Sequence, residues 1–223
     1  MLRFMKIFIS FLLMGGVLTL ALTGSALAHH PIGAQVPDTA WNGLLSGIGH
    51  PLIGLDHLAF LVAISLLAAL YSSTRRIGIL STFVVATLAG TSMHIVGVAL
   101  PMADLAIALS VLAVGAMLLT AARYRFPLVL AFGVLAGTLH GFGYAASVIG
   151  VEPTPLLSYL AGVALIQWSL GLGIATLFAA LLRRLPSKGD SLVQLAGVGV
   201  TVLGTASVGF VLIIGASIQL LPG

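Results

Sequence analysis

Charge occurs in this sequence almost only as short punctuation between long apolar runs, and no other feature constrains the fold as strongly. Nine basic and five acidic residues make 14 charges in 223. A soluble domain needs roughly a quarter of its residues charged to cover its surface. A disordered chain needs high net charge and few apolar residues, and 60% of this chain is hydrophobic. Both classes are excluded. The sequence predicts an all-α integral membrane protein, because a helix satisfies its own backbone hydrogen bonds where water is absent. The pI near 10.0 reflects a net charge of only +4, held in clusters between apolar runs. That pattern fits membrane topology, so the expected partner is the lipid bilayer and no nucleic acid is expected. With no cysteine, disulfides, thiolate metal sites and thiol catalysis are excluded.

The first residues read as a signal peptide. Arg3 and Lys6 are a positive n-region, Ile7 to Leu22 is apolar, and Thr23 to Ala28 ends in an A-x-A site. Cleavage after Ala28 is expected. It divides the chain into a signal at 1–28 and a transmembrane domain at 29–223, with His29 at the new N-terminus. A signal on a cysteine-free polytopic chain suggests a bacterial inner membrane.

Spanning the hydrocarbon takes about 20 apolar residues per helix. The runs predict six helices near 49–71, 77–100, 104–122, 127–149, 156–182 and 191–220, forming a compact six-helix transmembrane bundle. Alternate breaks hold Arg75 and Arg76, then Arg123 and Arg125, then Arg183, Arg184 and Lys188. The positive-inside rule puts those loops in the cytoplasm and both mature termini outside it. Gly133, Gly137 and Gly141 recur every fourth residue and predict a flat ridge for a neighbouring helix. Trp41, Tyr71, Tyr124 and Tyr159 read as interfacial anchors. Met93 and Gln167 read as packing residues. Gly47-x-x-His50 and Gly137-x-x-His140 are the sole internal echo, read as coincidence. A homo-oligomer is left open.

Ionisable groups inside a span are costly, so each is a functional candidate. They are His50, Asp56, His57, His94 and His140. On a continuous first helix, His50 and His57 lie two turns apart on one face, with Asp56 about 100° away. Under the expected topology these groups fall at similar depth in the outer half of the bilayer. Imidazole plus carboxylate suits a borderline divalent cation such as Ni²⁺, Co²⁺ or Zn²⁺. These five residues are the expected metal ligands. His29, His30 and Asp104 are secondary candidates. No H-E-x-x-H or G-x-S-x-G motif is present, so no catalytic residue and no enzyme activity are expected. Two other readings stand beside transport: a bis-His haem electron carrier, and a metal-binding sensor or assembly protein.

His50-x5-Asp56-His57 resembles the first-helix signature of the HupE/UreJ family of nickel and cobalt permeases. Gly97 to Asp104, followed by Ile107 to Val111, is similar to that family's approach to the third helix, and Leu139-His140-Gly141 to its fourth-helix motif. The resemblance covers essentially the whole mature chain. It implies a secondary transporter that imports Ni²⁺ or Co²⁺ as its cargo, with no permanently bound cofactor. The chain departs from the pattern where a second His and a Glu are usual, at Tyr144 and Ser147, and at Gly171 where a fifth-helix His is often found. It reads as a divergent member, with Tyr144 a hydrogen-bond donor to metal-bound water.

Overall fold

The computed structural model describes residues 36–219. The expected signal peptide, His29 and His30 lie outside the described residues. Among the described residues all regular structure is helical. The helices are α1 Ala40–Ile53, α2 Leu55–Ala68, α3 Ser73–Ile95, α4 Ala103–Leu119, α5 Phe126–Ala145, α6 Pro153–Arg184 and α7 Gly189–Gln219, with a 3₁₀ turn at Pro186–Lys188 before α7.

Local chemistry sets the helix ends. Thr39 caps α1 by accepting from the Asn42 amide, and Asn42 Nδ2 donates to Asp38 at 2.8 Å. Proline in the first turn opens α5 and α6, where its missing N–H has no helical acceptor to lose. Arg183 and Arg184 close α6 against the negative end of its dipole. Gly97, at φ 94°, turns the chain out of α3.

The first expected helix is corrected most. In place of one helix at 49–71, α1 and α2 meet at Gly54 with a bend of 76°. Pro51 has no N–H to continue the ladder and crowds the preceding turn. Gly54 is extended, at φ −69° and ψ 106°. Its N–H closes α1 on the His50 carbonyl, and its own carbonyl opens α2 by accepting from Leu58. Arg75 and Arg76, expected in a loop, lie in the first turn of α3, because that helix begins at Ser73 rather than at 77.

α3, α5, α6 and the Pro186–Ile214 stretch are each long and apolar enough to cross a membrane, and bent α1–α2 forms a fifth such unit. α4 is equally apolar but only 17 residues long. Large apolar side chains such as Val85, Leu157, Leu177 and Leu195 face outward, as a lipid-facing surface requires.

The helices pair through glycine. A Cβ at Gly137 would lie 2.5 Å from the Phe83 carbonyl oxygen, and one at Gly141 would lie 2.6 Å from the Thr91 nitrogen. The expected ridge on α5 therefore seats α3 backbone to backbone. Gly43, Gly47 and Gly162 join α1 to α6 in the same way, and Gly115, Gly197 and Gly204 join α4 to α7. α2 packs against α4, α6 and α7. Its Phe60, Ala63, Ile64, Leu67 and Ala68 are fully buried. As the central helix, it carries the residues at its N-terminus into the middle of the bundle.

The basic ends of the helices gather together. Tyr71 donates to the Tyr124 carbonyl at 2.8 Å, and Arg75 lies 5.4 Å over the Phe126 ring. Arg183 is close enough to Arg76 for their charges to repel.

Candidate functional site

The bend at Gly54 brings His50 and His57 together by a route other than the shared helix face expected from sequence. Their ring centroids are 5.6 Å apart. A Cβ at Gly54 would meet His57 Cδ2 at 2.7 Å and Asp56 Oδ1 at 3.5 Å, so glycine is needed there for close approach. His140, from α5, joins on the other side: its Nδ1 is 2.8 Å from His57 Nδ1, with ring centroids 5.0 Å apart. All three imidazoles are buried, His140 completely.

Hydroxyl geometry orders the protons. Ser110 on α4 donates to the Ile107 carbonyl at 2.7 Å, so its oxygen accepts from His140 Nε2–H at 3.0 Å. His140 Nδ1 is then an acceptor, and His57 Nδ1–H donates to it. This relay puts the His57 lone pair on Nε2. That atom lies 3.2 Å from where a Cβ would stand on Gly143, so Gly143 leaves it space. Thr91 donates to the Gly141 carbonyl at 3.1 Å and fixes α5 to α3 at this level. Phe60 covers His140 with centroids 4.5 Å apart.

His50 has its own hydroxyl shell. Its Nδ1 is 2.9 Å from Tyr159 Oη and 3.1 Å from Ser147 Oγ, and both hydroxyls also reach the Tyr144 carbonyl. Tyr159, expected as an interfacial anchor, is instead completely buried, because its hydroxyl is consumed by this cluster. The Tyr144 ring packs against both His57 and His50, at 4.3 and 5.0 Å between centroids. Gln167 Nε2 donates to the Tyr144 hydroxyl at 3.2 Å, while Gln167 Oε1 is buried with no partner. Gln167 is therefore more than a packing residue. The signal was available: a primary amide deep in an apolar helix is expensive unless bonded. Ser110 carried no such signal, because a serine hydroxyl can bond a carbonyl of its own helix, as it does at Ile107. Tyr159 carried no comparable signal, since a tyrosine near a helix end reads equally well as an anchor.

Asp56 is half-buried rather than enclosed. It lies in the first turn of α2, where its Oδ1 accepts the His57 amide at 2.8 Å. His94 is also half-buried; its Nδ1 is 3.2 Å from the Val98 carbonyl and its ring packs on Phe142 at 5.3 Å. Asp104 is exposed in the first turn of α4. Among the described residues no three His, Asp or Glu stand ready as a metal-holding group. The three imidazoles engage one another and neighbouring hydroxyls.

Known proteins give this cluster a context. The family model described as HupE / UreJ protein matches residues 8–207. The chain is 30% identical over 193 residues to Protein HupE of Rhizobium leguminosarum bv. viciae, covering 83% of this chain and 92% of that protein. No solved structure matches. On both the family match and the relative, the chain belongs to the HupE/UreJ family.

Proposed function

We propose that this chain is a secondary permease that carries Ni²⁺ or Co²⁺ into the cell. The family is a membrane-protein family generally linked to nickel and cobalt transport. The observation that carries the reading is the contact of His50, His57 and His140, from three helices, inside an apolar bundle. Three imidazoles are a costly set to bury without a use. They are good ligands for a borderline cation once their mutual hydrogen bonds are exchanged for metal bonds. We place Asp56, His50, His57 and His140 in the inner site and His94 on its outer approach. Asp104 stands further out, and His29 and His30 serve as collectors at the mature N-terminus.

The hydrogen-bonded resting state has a functional consequence. A metal bond at His140, whose two ring nitrogens are both engaged, costs an existing His–His or His–hydroxyl bond, which weakens net binding. A carrier needs such moderation, because an ion held too tightly is not released. An inward divalent cation gains about 4.6 kcal/mol per 100 mV of membrane potential, twice the single-charge value. That gain can drive uptake without nucleotide hydrolysis. The orientation goes with the reading: basic helix ends in the cytoplasm, termini outside, in the inner membrane of a bacterium.

The test is uptake of radioactive nickel and cobalt by cells expressing the chain, beside His57→Ala and Asp56→Ala. Uptake by the parent that both changes abolish supports the proposal. Equal uptake by all three sinks the site assignment.

A sensor or assembly role without transport is favoured by one observation. Tyr144 and Ser147, standing where the family pattern usually has His and Glu, are both engaged with neighbours: the Tyr144 hydroxyl accepts from Gln167, and the Ser147 hydroxyl lies 3.1 Å from His50 Nδ1. Metal binding by the purified protein with no uptake supports that role. The haem reading fits poorly, since rings 5.0 and 5.6 Å apart leave no room for a macrocycle between them. A Soret band in the purified protein would restore it.

A further inference from the structure

The opposite, basic end of the bundle poses a separate problem of charge. Arg76 is 7% exposed. Its Nε is buried with no hydrogen-bond partner, and Nη2 reaches only a neutral acceptor, the Tyr71 carbonyl, at 3.3 Å. Among the described residues no Asp or Glu pairs with it. A buried cation needs an anion, or the protein carries an uncompensated desolvation cost. The surroundings deepen the deficit. Arg75 is the next residue, held over Phe126. Arg183 approaches from α6, and Arg123 lies near enough to Tyr71 to act on its hydroxyl. The first turn of α3 contains no acidic residue, and the Ser72 side chain makes no capping hydrogen bond. Two arginines at a helix N-terminus also oppose its dipole, whose positive end favours anions.

We propose that this end of the bundle holds a binding site for a phosphate oxyanion, with Arg76 at its centre and Arg75, Arg123 and Arg183 around it. Guanidinium groups match phosphate geometry through paired N–H donors. An anion here neutralises Arg76, relieves the repulsion with Arg183 and complements the start of α3. The phosphate belongs to a lipid headgroup or to a free ion. Tyr71, Tyr124 and Phe126 at the same end have the aromatic character of a headgroup-level belt. Anionic lipid attracts each nearby arginine by about fivefold in affinity.

The experiment measures thermal unfolding of the full chain in phosphatidylcholine nanodiscs. One arm replaces part of the lipid with phosphatidylglycerol. The other adds inorganic phosphate to the buffer at constant ionic strength. The variants are Arg76→Gln and, as a control, the exposed Arg184→Gln. The parent and Arg184→Gln are expected to gain stability from phosphatidylglycerol, and Arg76→Gln is not. In phosphatidylcholine alone, Arg76→Gln is expected to match or exceed the parent, since it loses an unpaired buried cation. A gain from inorganic phosphate alone, lost in Arg76→Gln, assigns the site to the free ion. An equal gain in Arg76→Gln and parent, or no gain in the parent from either source, overturns the proposal. If Arg76→Gln does not fold, native mass spectrometry of the parent decides. Retention of phosphatidylglycerol about fivefold over phosphatidylcholine supports the site. Equal retention, with no response to phosphate, removes it.

Discussion

Gly54→Ala separates the stability of the bend from the geometry of the imidazoles. The backbone at Gly54, φ −69° and ψ 106°, is open to alanine. At such a position alanine stabilises by about 0.4–1 kcal/mol through the unfolded chain. The added methyl stands 2.7 Å from His57 Cδ2. Carbon atoms rest about 3.5–4.0 Å apart, so the ring or the bend must yield by roughly 0.8 Å or more. Metal–ligand distances tolerate about 0.2 Å. The displacement also strains the 2.8 Å bond between His57 and His140. Loss of that buried bond costs about 1–3 kcal/mol. The two effects leave the variant about 0–3 kcal/mol less stable than the parent, and folded. Metal affinity is expected to fall on the order of ten- to a hundredfold, as when a metal site's supporting contacts are lost. The assay is competition of the purified protein against a calibrated Ni²⁺ chelator, with thermal unfolding by circular dichroism on the same sample. Parental affinity in a well-folded variant would refute the reasoning, because His57 could then move that far without consequence.

Three further changes test the supporting structure. Ser110→Ala removes the acceptor for His140 Nε2–H and is expected to cost about 1–3 kcal/mol by chemical unfolding in detergent. Tyr159→Phe withdraws a hydroxyl from His50 and from the Tyr144 carbonyl, with a similar loss; an interfacial anchor would tolerate that change with little effect. Gly137→Val drives a side chain into the Phe83 carbonyl and the Ala86 Cβ and is expected to cost about 3 kcal/mol or more. It should be read as lost monodisperse protein on size exclusion.

The residues announced the membrane, the helical class and the α5 glycine ridge because each rests on a one-dimensional signal: apolar run length, charge spacing and a four-residue repeat. His50, Asp56, His57 and His140 were legible because charge and imidazole are expensive in a span. What stayed hidden was three-dimensional. Nothing in the run from His50 to His57 states how Pro51 and Gly54 resolve their competing backbone demands, and a smooth helix has the same hydropathy as a bent one. The partners of His140 and His50 come from α4 and α6, distant in sequence, so hydroxyls at Ser110 and Tyr159 acquire meaning only through packing. His94 is half-buried, with its ring nitrogen 3.2 Å from the Val98 carbonyl just past the end of its own helix, a contact that hydropathy does not reveal.

The bend also changes what Asp56 costs. In a continuous span its carboxylate would be a bare charge in hydrocarbon. At the start of α2 it accepts a backbone amide and lies at the positive end of the helix dipole. It is half-buried, whereas the imidazoles behind it are buried. Under the proposed permease reading, this arrangement would separate attraction from dehydration: the carboxylate would meet an arriving dication while water is still near, and the imidazoles would take it after water is shed. Asp56→Asn isolates the charge, because the amide oxygen can still accept the His57 N–H. If attraction is the role of Asp56, parental affinity for Co²⁺ should fall as salt rises, since exposed charges are screened. Asp56→Asn should bind on the order of tenfold more weakly or worse at low salt and lose most of that salt dependence. Its unfolding should stay near that of the parent. A variant as salt-sensitive as the parent would show that the charge acts only on the local fold.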